Sequence, residues 1–315
     1  MMPSTHVELI GSSAPMCELR ALIARVAPLR MPVLIEGATG TGKELAAAQL
    51  HRESGRTGTL VAFNVCALGD SMFEDALFGH VKGAYTGAVG ESLGFLREAN
   101  GGTSFFDEIS GLPLPLQAKL LRAIETGVFR PIGAARDAMS DFRTVAATNE
   151  HLRELVEAGR FREDLMHRLS GITVRMPTLA ERVDDIPELA RHFVRRAGGR
   201  DMHIADDAVA LLQDTPWPGN VRELRQVIEA SVVFAHNEID TRSVYAALAH
   251  RSSVTARPRA VVELAERREL VTVLERASGD TERAAALLGV HRATIYRRMK
   301  RHGIHIPSDA RMRRG

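Results

Sequence analysis

Short apolar runs alternate with longer amphipathic stretches along most of this chain. The run Val33–Ile35 passes into a glycine-rich segment, and helical periodicity begins at Lys43, a pattern that predicts a strand, a loop and a helix. A second apolar run ends at Phe105 and Phe106, and a third, in "DFRTVAATNEHL", ends at Asn149. The order of these runs predicts an α/β domain.

The carboxy-terminal pattern is different, because only helical periods occur there. "VVELAERRELVTVLERA" is helical, and the small residues Ala284–Ala286 would let helices cross closely. Gly289 would make a turn, and a second helix would run from about His291 to Arg301 with Ile295 and Met299 facing inward. This layout predicts a helix-turn-helix. A helical hairpin used for dimerisation is the alternative.

Composition narrows the class of protein. The chain has 315 residues, of which 45% are hydrophobic and 25% charged, which is ordinary for a globular protein of two or three domains. Its longest apolar stretch, Leu60–Leu68, is far too short to span a bilayer, and the first residues lack the layout of a signal peptide. We therefore expect a cytoplasmic protein.

The cysteines and histidines indicate no structural framework of their own. Cys17 and Cys66 cannot form a disulfide framework and show no paired metal-ligand spacing, and the 12 histidines are scattered. We expect two reduced, buried thiols and no metal site built by protein side chains.

Charge is segregated along the chain. From Arg251 to the end there are 15 Lys and Arg against 7 Asp and Glu, whereas the first 250 residues carry 26 against 32. A basic block of this kind indicates a polyanion partner for the carboxy-terminal part alone.

The glycine-rich segment carries the first candidate chemistry. Residues 37–43 match G-x-x-x-x-G-K, in which backbone N–H groups and a helix amino terminus converge on phosphate and the lysine reaches the β and γ phosphates. The next residue, Glu44, stands where a Ser or Thr usually helps to hold magnesium. A plain glycine-rich turn is the alternative. The predicted ATP-binding residues here are Gly37, Ala38, Thr39, Gly40, Thr41, Gly42, Lys43 and Glu44.

Polar side chains follow the other two predicted strands. At the end of a parallel strand beside the phosphate loop, Asp107 could hold Mg²⁺ through a bound water, and Glu108 could polarise an attacking water. The amide of Asn149 could orient that water or sense the γ phosphate. The alternative is that the two acids are surface residues at the end of a strand and that the asparagine caps a helix.

Two arginines six residues apart flank a predicted helix. Arg162 and Arg168 keep their charge and can fork onto phosphate oxygens. One or both could neutralise charge in a transition state, including at a neighbouring subunit's nucleotide. Solvated helix charges are the alternative.

Several motifs in one order now carry a resemblance. "GATGTGKE", "LFGHVKGAYTGA", "GGTSFFDEI", "ATN", "FREDLMHRL" and "WPGNVREL" resemble the AAA+ domain of bacterial enhancer-binding proteins, which activate RNA polymerase carrying the sigma-54 factor. That family commonly has an acidic residue after the loop lysine. The resemblance implies an α/β AAA+ P-loop ATPase with a parallel sheet and an α-helical lid subdomain, followed by a small all-α helix-turn-helix domain of Fis type. The expected boundaries are an extension at 1–9, the α/β subdomain at 10–175, the lid at 176–250, a linker at 251–261, the helix-turn-helix domain at 262–306 and a basic tail at 307–315.

The resemblance assigns a role to "GAYTGA". In similar proteins this loop touches sigma-54 and moves with the nucleotide state. Glycines at both ends give a bendable tip, and a ring and a hydroxyl are offered between them. Tyrosine replaces the usual phenylalanine, and we expect contact to be retained with a possible change in strength. The implied sigma-54 contacts are Gly83, Ala84, Tyr85, Thr86, Gly87 and Ala88.

Further roles follow from the same resemblance. Asn64 aligns with a switch asparagine that holds the catalytic glutamate, here Glu108, in an idle position. Arg222 resembles a second sensor of nucleotide in the lid, on a helix that Asn220 would cap. Ala76 and Val81 depart from glutamates that the family often has there.

The Fis-type domain would read DNA with the second helix of its motif. The early residues of that helix would reach bases or adjacent phosphates in the major groove. The predicted DNA contacts are His291, Arg292, Thr294, Arg297 and Arg298.

The resemblance also implies a function and an assembly. We expect a hexameric ring that binds enhancer DNA, hydrolyses ATP with Mg²⁺ and remodels the closed sigma-54 polymerase complex. With about ten residues ahead of the ATPase domain, we expect no receiver domain and regulation by a separate protein, by a paralogous co-activator in the ring or by controlled synthesis. The rival functions are a chaperone or replication motor, and a DNA-binding regulator whose ATPase domain does not hydrolyse.

Overall fold

The computed structural model describes residues 8–65, 72–198, 202–254 and, with short gaps, 270–304. Two compact units divide the chain. The first comprises residues 1–190 and 217–225, and the second comprises 191–216 and 226–315.

The first unit contains the predicted α/β domain. Its strands are β1 (Val33–Glu36), β2 (Leu60–Asn64), β3 (Thr103–Asp107), β4 (Val128–Phe129), β5 (Ala138–Met139), β6 (Arg143–Thr148) and β7 (Ile172–Arg175). Its helices are α1 (Ala14–Val26), α2 (Lys43–Arg52), α3 (Phe73–Phe78), α4 (Phe95–Glu98), α5 (Leu114–Thr126), α6 (Leu152–Glu157) and α7 (Glu163–Leu169), with 3₁₀ turns at Ile109–Gly111 and Leu179–Asp185.

Five of these strands form one parallel sheet in the order β2-β3-β6-β1-β7. The carboxyl ends of parallel strands meet at one edge, so the residues that follow β1, β3 and β6 share that edge. The sequence argument placed the strand before Asp107 beside the phosphate loop, and Glu108 at its end lies 3.1 Å from Lys43. The argument did not predict which strands pair: β6 lies between β1 and β3.

Apolar side chains cover both faces of the sheet. Leu34 and Phe106 lie in one buried cluster, whereas Ile35 and Phe105 lie in another on the opposite face. Successive side chains of a strand point to opposite faces, and a sheet covered on both sides needs apolar residues at consecutive positions. This is why apolar residues occupy consecutive positions in these strands, as at Phe105–Phe106 in β3 and Val145–Ala147 in β6.

The second unit is mostly helical. The elements outside the α/β domain are α8 (Ile186–Arg196), β8 (His203–Ile204), α9 (Asp206–Asp214), α10 (Asn220–Phe234), β9 (Glu238–Ile239), α11 (Thr241–Val254), α12 (Thr281–Leu287) and α13 (Arg292–His302). Helix α11 continues into the segment that was predicted as a linker, 251–261. The first four residues of that segment are therefore helical. The remainder of that linker and the basic tail at 307–315 lie outside the described residues.

A small cluster forms the core of the helix-turn-helix region. Ile295 and Met299 of α13 pack there with Ala284 of α12 and with Leu270. The predicted inward-facing positions are therefore confirmed. The turn residue Gly289 lies outside the described residues.

The expectation that both thiols are buried was wrong for Cys17, which is exposed near the start of α1. Cys66 lies outside the described residues.

Membrane insertion has no candidate segment here: across the described ranges, no helix combines the length and apolar composition that crossing a bilayer requires.

Candidate functional site

The loop between β1 and α2 has a left-handed backbone at two of its glycines, as a phosphate-binding loop requires. Gly40 and Gly42 have φ values of 81° and 104°, which is the left-handed region that glycine adopts without penalty. A side chain at Gly40 would lie 2.3 Å from the carbonyl oxygen of Gly219. The loop therefore needs glycine at this position both for its conformation and for space.

Lys43 begins α2 and is only 6% exposed. Its Nζ donates to the carbonyl oxygen of Gly37 at 3.0 Å and pairs with Oε1 of Glu108 at 3.1 Å. The cation thus lies at a helix amino terminus, between the loop and the carboxylate that follows β3. This combination of a helix dipole and an ammonium group suits a phosphate.

The two predicted carboxylates lie at the same edge but differ in environment. Glu108 has a left-handed backbone with φ of 54°, a conformation that costs a non-glycine residue about 1–2 kcal/mol and is typical of functional sites. Its second oxygen accepts the backbone N–H of Asn149 at 3.2 Å. Burial raises the pKa of the Asp107 carboxyl, and the neighbouring Glu108 raises it further, while Lys43 lowers it.

The predicted asparagines join these groups. Asn64, at the end of β2, donates from Nδ2 to Asp107 at 3.2 Å, and Asn149 donates from Nδ2 to the hydroxyl of Thr39 at 3.3 Å. The structure therefore brings Asn64 onto Asp107, while Glu108 is held by Lys43 and Asn149. Both asparagines therefore lie at the same edge of the sheet as the phosphate loop.

Two further side chains donate hydrogen bonds to the backbone of the phosphate loop, and the sequence analysis predicted neither contact. Arg182, which is 3% exposed, donates to the carbonyl oxygen of Thr41 at 3.1 Å. The side chain of Asn220 accepts from the N–H of Leu179 at 2.9 Å and donates to the carbonyl oxygen of Thr39 at 3.1 Å. No local sequence signal marks such contacts, because their partners are about 40 to 180 residues away.

The role predicted for Asn220 as a helix cap was wrong. Its side chain bridges two loops instead, and its own backbone is left-handed with φ of 50°. The carboxylate of Glu223 accepts the N–H of Gly219 at the start of α10.

The three predicted arginines occupy different places. Arg222 is exposed, and its backbone N–H donates to the carbonyl oxygen of Gly40 at 3.2 Å. Arg162 pairs with Asp164 through Nε and Nη2 at 3.0 and 2.7 Å, and Arg168 is exposed, with Nη2 at 3.5 Å from the carbonyl oxygen of Ile124. Only Arg222 among these three contacts the loop through a described hydrogen bond.

The predicted contact loop lies at an exposed tip of the first unit. Gly83 and Gly87 have φ values of 81° and 104°, and a side chain on either would meet nothing within 4 Å. Thr86 is exposed and Tyr85 is 47% exposed, whereas Ala88 is buried. The ring and the hydroxyl are therefore presented to solvent.

Tyr85 is nevertheless held by its neighbours. Its hydroxyl donates to Oδ2 of Asp75 at 3.2 Å, and its ring lies edge-on to His80 at 5.2 Å between centroids. Nδ1 of His80 contacts the other carboxylate oxygen of Asp75. Phenylalanine could not make the bond to Asp75, so the tyrosine adds a restraint at the tip.

The predicted DNA contacts on α13 divide by exposure. Arg292 and Arg297 are exposed, whereas Thr294 and Arg298 are partly buried. The guanidinium of Arg292 lies over the ring of Tyr296, 5.6 Å from its centroid. His291 lies outside the described residues.

The residues at the loop fit a nucleotide with a divalent cation. The loop and Lys43 supply donors for phosphate, and Asp107, Glu108 and Glu44 supply negative charge in one place, since both glutamates raise the pKa of Asp107. Within the described ranges, no group of three or more His, Cys, Asp or Glu side chains could hold a metal ion. Mg²⁺ suits such a site because it keeps waters and binds through one or two carboxylates plus phosphate oxygens.

A parallel sheet with a phosphate loop after β1 and paired acids after β3 defines a P-loop protein of the AAA+ class. The chain belongs to the sigma-54 activator family: a model of the sigma-54 interaction domain matches residues 9–175. An AAA+ ATPase lid domain matches residues 180–260, and a bacterial regulatory domain of the Fis family matches residues 261–302.

Known proteins align with nearly the whole length of this chain. It is 39% identical over 309 residues to the Nif-specific regulatory protein of Azotobacter vinelandii, which covers 95% of this chain and 59% of that protein. It is 41% identical over 302 residues to the transcriptional regulatory protein ZraR of Salmonella typhimurium, covering 93% of this chain and 68% of ZraR. The structure of NtrX from Brucella abortus in complex with ATP has a TM-score of 0.70 at 34% identity and covers 94% of this chain and 69% of NtrX. The chain thus spans well under two thirds of the Nif-specific regulator.

Proposed function

We propose that this protein is a sigma-54-dependent transcription activator that hydrolyses ATP and uses the energy to remodel the closed polymerase complex. The observation that carries the proposal is the placement of two features on one compact unit: the Lys43–Glu108 pair at the phosphate loop and the exposed Tyr85–Thr86 tip. A nucleotide enzyme without an outside target has no use for the second feature.

At the loop, this chain's own residues would do the following work. Lys43 and the backbone from Gly37 to Gly42 bind the phosphates, and Arg222 adds positive charge beside Gly40. Glu108 orients and polarises the attacking water once Lys43 turns from the carboxylate to the phosphate. Asn149 positions that water or the γ phosphate. Asp107 would hold Mg²⁺ through a water, and the cation would supply positive charge for the phosphate oxygens.

Asn64 is proposed as the link between chemistry and motion. It ends β2 and bonds Asp107, next to Glu108. A charge-assisted hydrogen bond contributes roughly 1.5–3 kcal/mol, which is enough to bias a two-state element by one to two powers of ten. Movement of Asn64 between Asp107 and Glu108, as phosphate arrives and leaves, would shift the helices that carry the tip.

Assembly and DNA binding complete the proposal. Arg162 and Arg168 would reach a neighbouring subunit's nucleotide, since neither bonds the loop of its own chain within the described residues. This implies a ring, for which we propose a hexamer, either homomeric or shared with a paralogous co-activator. The helix-turn-helix region would bind enhancer DNA with α13. The domain boundaries are proposed as predicted, except that α11 continues to Val254, and we propose a cytoplasmic protein.

Two substitutions test this function. Glu108→Gln removes the base and should lower ATP turnover by about 10²- to 10⁴-fold and abolish open-complex formation on a sigma-54 promoter. Thr86→Ala should keep ATP turnover within about twofold and still lose open-complex formation, because it removes a contact and no chemistry. Glu154→Gln, on the exposed face of α6, is the matched control and should change neither.

Each failure has a distinct meaning. Normal activation by the Thr86→Ala protein would contradict the proposed role of the loop at residues 83–88. ATP turnover that is absent from the assembled wild-type protein would favour a regulator with an inactive ATPase domain.

A further inference from the structure

A small cavity lies at the edge of the sheet opposite to the phosphate loop. Its volume is about 170 Å³. It is lined by Ala27, Pro28, Leu29, Arg30, Ser54, Gly55, Arg56 and Arg143. These residues come from the end of α1, the loop between α2 and β2, and the first position of β6, so the length of the strands separates the cavity from Lys43. We call it the arginine cavity.

Arg143 is the most buried of its three arginines, with 2% exposure. Its Nη2 donates to the carbonyl oxygen of Val26 at 3.0 Å, and its Nη1 donates to that of Ala27. Its Nε is buried and has no hydrogen-bond partner in the described part of the chain. One strong donor of a fully buried cation is therefore left over.

Arg56 repeats this pattern. Its Nη2 donates to the carbonyl oxygen of Asp141 at 2.8 Å and pairs with the Asp141 carboxylate at 3.0 Å, yet its Nε is also buried without a partner among the described residues. Buried donors are nearly always satisfied in native proteins. The Nε of Arg182, which does not line this cavity, also lacks a partner among the described residues. The cavity differs in that two such arginines line it together.

The charge around the cavity points in the same direction. Arg30 adds a third guanidinium at the exposed rim, and the Asp141 carboxylate is 74% exposed, so it neutralises the buried charge poorly. Burial lowers the pKa of Arg143, and the positive charge of Arg56 lowers it further. An anion inside the cavity would relieve both effects.

We propose that the arginine cavity binds a small oxyanion of the phosphate class. Such an ion is acceptor-rich, and the guanidinium groups of Arg30, Arg56 and Arg143 that line the cavity would attract it. The two Nε atoms are themselves closed to solvent, so the attraction comes from the charge of these groups. A cavity of about 170 Å³ has room for one small free oxyanion. When bound, the ion connects the end of α1 and the loop before β2 to the start of β6.

Phosphate titration of the full chain by calorimetry, at constant ionic strength, tests this site. The starting protein carries Lys43→Ala, because the phosphate loop could otherwise bind the same ion. We expect one phosphate per chain to bind this protein. Adding Arg56→Gln should weaken that binding at least tenfold, and adding Arg30→Gln should weaken it about threefold, as expected for a buried and an exposed charge.

Arg52→Gln is the matched control, since Arg52 is an exposed arginine of α2 outside the cavity. It should leave the affinity unchanged. Arg30→Gln changes only an exposed side chain and keeps the test valid if Arg56→Gln does not fold by circular dichroism. Absence of phosphate binding to the Lys43→Ala protein, or equal weakening by Arg52→Gln and Arg30→Gln, would overturn the proposal.

Discussion

The phosphate-loop edge and the Tyr85–Thr86 tip belong to the same compact unit but are built in opposite ways. At the loop, a side chain on Gly40 would collide with the backbone of Gly219, and buried Arg182 and Asn220 bond the loop carbonyls. At the tip, Gly83 and Gly87 have open space around them. Gly40 is therefore required both by its left-handed backbone and by close packing, whereas Gly83 and Gly87 are required by backbone conformation alone.

Alanine at one glycine of each region should separate these two uses most strongly. Gly40→Ala adds a collision at 2.3 Å to a left-handed strain and should lower the free energy of unfolding by about 3 kcal/mol. Gly87→Ala adds only the strain, about 1 kcal/mol. Urea unfolding of both variants measures the difference. Equal losses would contradict the contrast between the two regions.

The carboxylate at the loop edge should also reveal its environment through pH. The pKa of Asp107 is raised in the folded chain, chiefly by burial, so its charge opposes folding at neutral pH. Asp107→Asn should therefore raise the melting temperature of the nucleotide-free protein near pH 7. The gain should shrink as the pH falls through the raised pKa and vanish below the ordinary aspartate pKa of about 3.9. Glu154→Gln should show no such gain, and a gain that grows at low pH would contradict the assignment.

The smallest effect is expected at the tip itself. Tyr85→Phe removes the hydrogen bond to Asp75 and keeps the ring, so amide hydrogen exchange across residues 83–88 should speed up about two- to fivefold. Asp75→Asn, which leaves an acceptor for the tyrosine, should have a smaller effect. Unchanged exchange in Tyr85→Phe would show that the hydroxyl does not restrain the loop.

Much of this architecture could be predicted because its signals are local. The apolar runs predicted β1, β3 and β6, and the spacing of glycines and Lys43 predicted the loop and the start of α2. The tertiary ties could not be predicted in this way. Arg182 and Asn220 meet the loop across more than 140 residues, and the Asp75–Tyr85 bond depends on how the loop folds back on α3.

Strand order was equally hidden. Asp107 and the phosphate loop follow strands that are next but one in the sheet, because β6 pairs with both β1 and β3. Hydrophobic runs do not encode which neighbour a parallel strand chooses. The sequence therefore predicted which groups lie at this edge better than it predicted the contacts between them. Asn64 is an example, because its expected partner was Glu108 and its amide bonds Asp107 instead.

The central claim is that the nucleotide state at the loop edge moves the tip. Hydrogen exchange of residues 83–88, measured with and without ADP–aluminium fluoride, tests it most directly in wild type and in Asn64→Ala. We predict that the transition-state analogue changes the exchange rate of the tip at least fivefold in wild type and by much less in Asn64→Ala, with binding of the analogue retained. A tip whose exchange does not respond to bound analogue in the wild-type protein would contradict the account.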